Sequence, residues 1–389
     1  MWDFGDELAR LDKEGLRRRS VPLDPVAGLT ARIAGREVLV FCSNDYLGFA
    51  RHPRILEAGR EALTRYGAGS ASSRQLAGDL PPHRELEDGL ASFLGTEAAL
   101  LFSSGYLANV GALPALAGDG DVLFSDERNH ASLIDGCRLA RAKLVVYHHA
   151  APEDLERKLR SQSGRRRLVV TESLFSMDGD LAPLEEIAGL ARRYDAALFV
   201  DEAHALGTIG ETGRGGVEQA GLSPSVVGFR MGTLSKALGS LGAFVAGSRE
   251  SIEILRNRAR TYLFDTSLPP ASAAAATAAL NLLRENPSLP RLLRERSKSL
   301  REMLSGVFPE MALGYPSPIL SLQVGEPSRA MELSGRLLEQ GFYVQGIRPP
   351  TVPSGTSRLR VTVSLGHTEE DLRRLSEVIL PLFRASPVP

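Results

Sequence analysis

Cysteine is scarce in this 389-residue chain: Cys42 and Cys137 are the only two. Two thiols cannot build a disulfide scaffold or a cysteine-rich zinc site. An excess of one charge is lacking as well. Forty-six basic side chains meet 47 acidic ones, for a formal net charge of −1. That balance argues against a nucleic-acid or membrane-surface partner recognised through bulk charge. No apolar run is long enough to span a bilayer, and the start carries no signal-like apolar segment. The expectation is a cytoplasmic protein with neither membrane nor nucleic acid as partner. Asp201-Glu-Ala-His204 could lend metal ligands, but no second His or Cys group with ligand spacing stands nearby. His148-His149 reads as the start of a surface turn, so no metal site is expected.

What is present is an ordinary globular composition, 43% hydrophobic and 24% charged, on a chain long enough for one large and one smaller domain. We expect an N-terminal arm over 1–40, a large domain over 41–284 and a smaller C-terminal α+β domain over 285–389. Short apolar runs at 98–102, 121–124, 144–147, 168–171, 197–200 and 226–229 alternate with helical periods. One such period is Leu184, Ile187, Leu190, Ala191 and Tyr194 behind Pro183. Strand and helix in alternation imply an α/β fold with a mostly parallel sheet covered on both faces. Ligands of such sheets gather at the carboxyl ends of the strands. Those ends here carry Ser103-Ser-Gly105, then Asn129-His130, then Glu172-Ser-Leu-Phe-Ser176, then Asp201-Glu-Ala-His204. One polar strand end could be a turn; four in succession point to chemistry.

The stretch Met231-Gly-Thr-Leu-Ser-Lys-Ala-Leu-Gly239 puts Lys236 between two apolar runs, with Thr233 and Ser235 beside it as donors suited to phosphate. A lysine out of water loses its charge readily and becomes a nucleophile, as Schiff-base chemistry needs. The blander alternative is a snorkelling surface lysine. Asp201, closing an apolar strand, needs a cation if it is buried. A serine-capped helix start at Gly105 offers free amides to a phosphate. Together these pieces suit pyridoxal 5′-phosphate (PLP). Near the C-terminus, Arg358 and Arg360 alternate on one strand, either as a carboxylate clamp or as charges on an exposed edge. Leu16-Arg-Arg-Arg19 is either a solvated helix end or a cationic lip for an acidic substrate or carrier.

The motifs Ser43-Asn-Asp-Tyr-Leu-Gly48, Ser104-Gly-Tyr-Leu-Ala-Asn109, Asn129-His-Ala-Ser132, Glu172-Ser-Leu-Phe-Ser-Met-Asp-Gly-Asp180, Asp201-Glu-Ala-His204 and Gly232-Thr-Leu-Ser-Lys236 stand in this order. In them the chain resembles the α-oxoamine synthases, PLP enzymes of fold type I, from Leu16 to about Leu382. The resemblance implies a large domain with a mostly parallel seven-stranded sheet, a small C-terminal domain and a homodimer with its site at the interface. It implies that Lys236 carries the cofactor and later moves a proton, that Asp201 pairs with the pyridine nitrogen and that His130 stacks on the ring. Ser176 and His204 would bond the ring's phenolic oxygen or the bound intermediate. Gly105, Tyr106 and Thr233 would serve the cofactor and its phosphate, with Thr266 reaching the partner's phosphate. Asn44 would lie close to the substrate, Arg360 would bind the amino-acid carboxylate, and Arg17 and Thr351 match positions that contact the acyl group. The stretch from Arg348 to Arg360 is similar to the branch that joins L-alanine to a pimeloyl thioester, on coenzyme A or acyl carrier protein, in biotin synthesis. Ala205-Leu206 is similar instead to the branch that uses glycine and acetyl-CoA.

Overall fold

The computed structural model describes residues 2–384, which fall into two compact units. The smaller takes the residues up to Gly48, Met177–Gly179 and those from Leu292 onward; the larger takes Phe49–Ser176 and Asp180–Arg291.

After the helix Gly5–Lys13, the smaller unit continues with an antiparallel meander of β1 (Asp24–Ala27), β2 (Thr30–Ile33) and β3 (Arg36–Val40). Ala34 and Gly35, at φ 48° and 80°, make the two-residue turn between β2 and β3. Positive φ at both positions matches the twist of the flanking strands.

The larger unit holds β4 (Ala98–Phe102), β5 (Val122–Asp126), β6 (Lys143–Tyr147), β7 (Arg167–Glu172), β8 (Ala197–Asp201), β9 (Phe229–Thr233) and β10 (Ala243–Gly247). They form one seven-stranded sheet in the order β4-β10-β9-β8-β7-β5-β6. The four ladders joining β9, β8, β7, β5 and β6 are parallel, and β10 is antiparallel to both its neighbours. The connection from β9 to β10 is too short for a crossover helix, so the chain can only turn back. Successive residues feed opposite faces. Leu123, Val170 and Phe199 enter one apolar cluster, while Phe124, Val169 and Val200 enter the other. The sheet is therefore covered on both sides, as its apolar strands require. Pro81 opens the helix Pro81–Leu94, which buries Leu86, Leu90, Phe93 and Leu94, and Gly95 closes it at φ 70°.

One strand lies elsewhere than its apolar run. Pro224–Val226 is a turn of 3₁₀ helix, and the strand begins at Phe229 and continues to Thr233. This strand contains Arg230, a residue no apolar pattern would select. Burial is possible because Arg230 Nη2 meets Glu202 Oε1 at 3.2 Å, both side chains being 2% exposed. Beyond the sheet, Arg249–Arg258 and Arg260–Leu263 are two separate helices, parted at Ala259.

The smaller unit resumes with β11 (Ile319–Gly325), β12 (Phe342–Tyr343), β13 (Gln345–Ile347) and β14 (Ser357–Thr362). β12 and β13, one residue apart, belong to two different sheets. β12 pairs in parallel with β3, while β13 pairs with β14 in the three-stranded order β11-β14-β13. β14 is thus central and buried along its whole length, so Arg358 and Arg360 do not decorate an edge.

Removing one partner of a buried ion pair strands the other charge without water. Arg230→Met should therefore lower the stability of the larger unit by roughly 3–5 kcal/mol, read as the midpoint of urea unfolding. Arg54→Ala, which breaks an exposed pair with Glu285, should leave that midpoint nearly unchanged.

Candidate active site

Because β4, β5, β7, β8 and β9 run the same way, their carboxyl ends share one edge of the sheet. After β4 the Ser104 side chain accepts a hydrogen bond from the Leu107 amide (3.2 Å) and caps the helix Gly105–Leu116. A Cβ placed on Gly105 would lie 3.8 Å from Thr233 Oγ1. The first turn of this helix and the Thr233 hydroxyl therefore face each other across a gap that a side chain would fill. Ser235 Oγ is 2.8 Å from Thr233 Oγ1. Free helix amides and two hydroxyls make a cradle for a phosphate.

At the end of β8, Asp201 is 4% exposed. Asn109 Nδ2 donates to its Oδ2 and the Ala203 amide to its Oδ1, both at 2.8 Å. Lys236 is half-buried just past β9. His130 caps the helix Ala131–Leu139, with Nδ1 2.8 Å from Ser132 Oγ. Burial pushes the His130 imidazole down from its usual range; the Asp201 charge opposes this and the Lys236 charge adds to it. Glu172, at the end of β7, accepts the His130 amide at 2.6 Å. Burial lifts its carboxyl well above the ordinary range, the nearby Asp201 charge adds to the rise, and Lys236 acts against it. These mutual fields place Lys236, Asp201, His130 and Glu172 in one neighbourhood. His204 and Ser176 are each 7% exposed on the loops after β8 and β7. Tyr106 stands half-exposed, its hydroxyl on Asp135. Thr266 lies in an exposed loop, and its carbonyl accepts from Ser103 Oγ at 3.3 Å.

The substrate candidates belong to the smaller unit. Arg360 is 6% exposed. Its Nη1 and Nη2 each lie 3.3 Å from Asn44 Oδ1, and Nη2 lies 3.5 Å from the Tyr46 hydroxyl. Arg358, on the same face of β14, is paired with Asp178. Burial pushes the neighbouring Cys42 thiol up to about 12, against the pull of Arg360. Thr351 and Arg17 are not brought together. The Thr351 hydroxyl accepts from Arg18 Nη2 at 3.1 Å, whereas the Arg17 side chain turns to Asp12.

Three participants were not singled out in the sequence: Asn109, Glu172 and Arg18. Asn109 and Glu172 stand inside motifs already marked, and Asn109 is the lone polar side chain on the inner face of an otherwise apolar helix. Arg18 carried no signal to separate it from its neighbours.

Residues 36–379 match the family model of class I and II aminotransferases. An 8-amino-7-oxononanoate synthase of Geobacter sulfurreducens is 50% identical, over 95% of this chain and 94% of its own. The serine palmitoyltransferase of Sphingomonas wittichii superposes with a TM-score of 0.92 at 34% identity, over 99% of this chain and 98% of its own. A structure of SPT with PLP internal aldimine gives 0.92 at 32% identity, over the same shares of the two chains. The chain belongs to the α-oxoamine synthases. Their fold, type I of the PLP enzymes, is the fold described above, and PLP is the cofactor. The residues here fit it: an amine at Lys236, a carboxylate on Asp201 for a ring cation, and a helix start with hydroxyls for the phosphate.

Lys236→Ala should leave no peptide covalently tagged after the cofactor-loaded protein is reduced with borohydride and digested, as read by mass spectrometry. Asp201→Asn should keep the tag but lower turnover by roughly a hundredfold or more, because a neutral amide cannot balance a ring cation.

Proposed function

We propose that the protein carries out the reaction of the 8-amino-7-oxononanoate synthases, the condensation of L-alanine with a pimeloyl thioester with loss of carbon dioxide and the thiol. The observation that carries this reading is the 50% identity to such a synthase over almost the whole of both chains. The solved serine palmitoyltransferases match the fold as well but share only 32–34% of the sequence.

When bound, PLP supplies an aldehyde that joins amines and a ring that accepts negative charge from the attached carbon. Lys236 would hold that aldehyde through its Nζ, and the same Nζ would take up the proton from the alanine Cα. Asp201, its oxygens fixed by Asn109 and the Ala203 amide, would pair with the ring nitrogen. His130, pushed down from its usual range by burial, would lie against the ring and help move a proton. Ser176 and His204 would supply donors for the phenolic oxygen. Thr233 and the amides of Gly105 and Tyr106 would hold the phosphate. Arg360, oriented by Asn44, takes a carboxylate through its two parallel N–H groups. A bond then forms between alanine Cα and the acyl carbonyl carbon, and the thiol leaves. The carboxylate departs as carbon dioxide, and a proton returns to Cα from Lys236. Arg17 and Thr351 are the acyl-side residues in this reading, with Arg18 added by its hold on Thr351.

The acyl group rides on coenzyme A or on an acyl carrier protein, and the cytoplasm is the compartment where both are found. We place the working form as a homodimer, with Thr266 serving the partner's phosphate. Exposed Phe264 (72%) and Leu76 (81%) lie in loops tied together by the Ser267 amide on the Ser72 carbonyl, a surface suited to a second subunit.

Purified protein offered alanine, glycine or serine with pimeloyl, acetyl or palmitoyl thioesters should release carbon dioxide fastest with alanine and the pimeloyl group. Running the pimeloyl arm on both carriers identifies the donor. Preference for glycine with acetyl-CoA, or for serine with palmitoyl-CoA, would replace the proposal with that activity.

A further inference from the structure

His149 lies outside the chemistry assigned so far, and its surroundings are those of a buried cation. Its Nδ1 is 3.0 Å from Asp126 Oδ1 and its Nε2 is 2.8 Å from Asp180 Oδ2. Carboxylate oxygens accept, so both ring nitrogens have to donate, and only the imidazolium carries two N–H groups. The side chain is 12% exposed and stands edge-on to Phe175, with ring centroids 4.4 Å apart at 87°.

The two carboxylates lead in different directions. Asp126 ends β5 and is 1% exposed. Its Oδ1 also accepts the Arg128 amide at 2.8 Å and its Oδ2 the Ala150 amide at 2.9 Å. It therefore shapes the turn that delivers His130. Asp180 closes the loop after β7: its carbonyl accepts the Phe175 amide at 3.0 Å, and Leu174 bridges to Leu181 beside it. Ser176 sits inside that closure. We propose that His149 is a positioning residue, an imidazolium that fixes the turn bearing His130 and the loop bearing Ser176 against each other.

The other charged groups around it are consistent with a retained proton. Glu127 accepts the His149 amide at 3.0 Å and faces His148 at 3.1 Å, and Asp154 accepts the His148 amide at 2.9 Å. Asp154 is matched by Lys158 and Arg157. Burial pushes the His149 imidazole down, but its bonds to Asp126 and Asp180 outweigh that and bring it up to about 9. A folded value above the unfolded one means stability that is complete below about pH 6.5 and is lost as pH rises through about 9.

The activity arm of the test rests on the reaction proposed above; the titration arm does not. Nitrogen NMR of the full chain with labelled histidine should show both His149 nitrogens protonated at pH 7.5, titrating near pH 9, and Asp180→Asn should move that titration down by a unit or more. In melting experiments the wild type should exceed His149→Gln at pH 7, with the gap closing above pH 9. In the condensation assay His149→Gln should lose roughly ten- to a hundredfold in kcat at pH 7.5. The high-pH fall of the wild type should begin at lower pH in Asp180→Asn. A His149 that titrates near 6.5, or a His149→Gln variant with wild-type kcat and an unmoved pH profile, would overturn the proposal. Should the wild type condense none of the substrates, the functional reading falls, and the NMR and melting curves still decide the state of His149.

Discussion

Taking a carboxylate out of water requires hydrogen bonds and a cation in return, and Asp201 sets that condition for the larger unit. Two donors, Asn109 and the Ala203 amide, fix its oxygens. Its charge is felt by His130 and by Glu172. The parallel strands bring these groups to one edge, since Glu172 and Asp201 stand where their strands leave the sheet. In the proposed reaction a protonated ring nitrogen would be the cation that this carboxylate calls for.

The same condition explains how acidic groups this close avoid mutual repulsion. Asp201 and Glu172 end adjacent parallel strands, paired in register. Two ionised carboxylates there would repel strongly, so one keeps its proton. Glu172 is the one that gives way: its carboxyl is lifted, and it still accepts the His130 amide. The acid whose carboxyl is lifted is thus the one that also holds the backbone of His130 in place.

Much of this was legible in the sequence. The alternation of apolar runs and helical periods foretold the α/β sheet, and β4 matched its run at both ends, because those strands are apolar on both faces. Lys236, Asp201 and His130 stood at strand ends, where position alone marked them. What stayed hidden depended on partners distant in sequence. Arg230 inside β9 is intelligible only once Glu202 is beside it, and so the strand was read three residues early. His149 was read as the start of a surface turn. A turn it is, but Asp126 and Asp180, 23 and 31 residues away, enclose its ring. The partner of Thr351 was hidden for another reason: three consecutive arginines look alike, and only the folded backbone decides that Arg18, not Arg17, turns toward it.

Cys42 brings out a further consequence of burial. Its thiol lies within the electrostatic reach of Arg360, yet desolvation pushes it up to about 12, so the thiol keeps its proton at pH 7. An enzyme that handles thioesters is exposed to theft of the acyl group by its own sulfur. Held protonated, the Cys42 thiol is a poor nucleophile toward such a group.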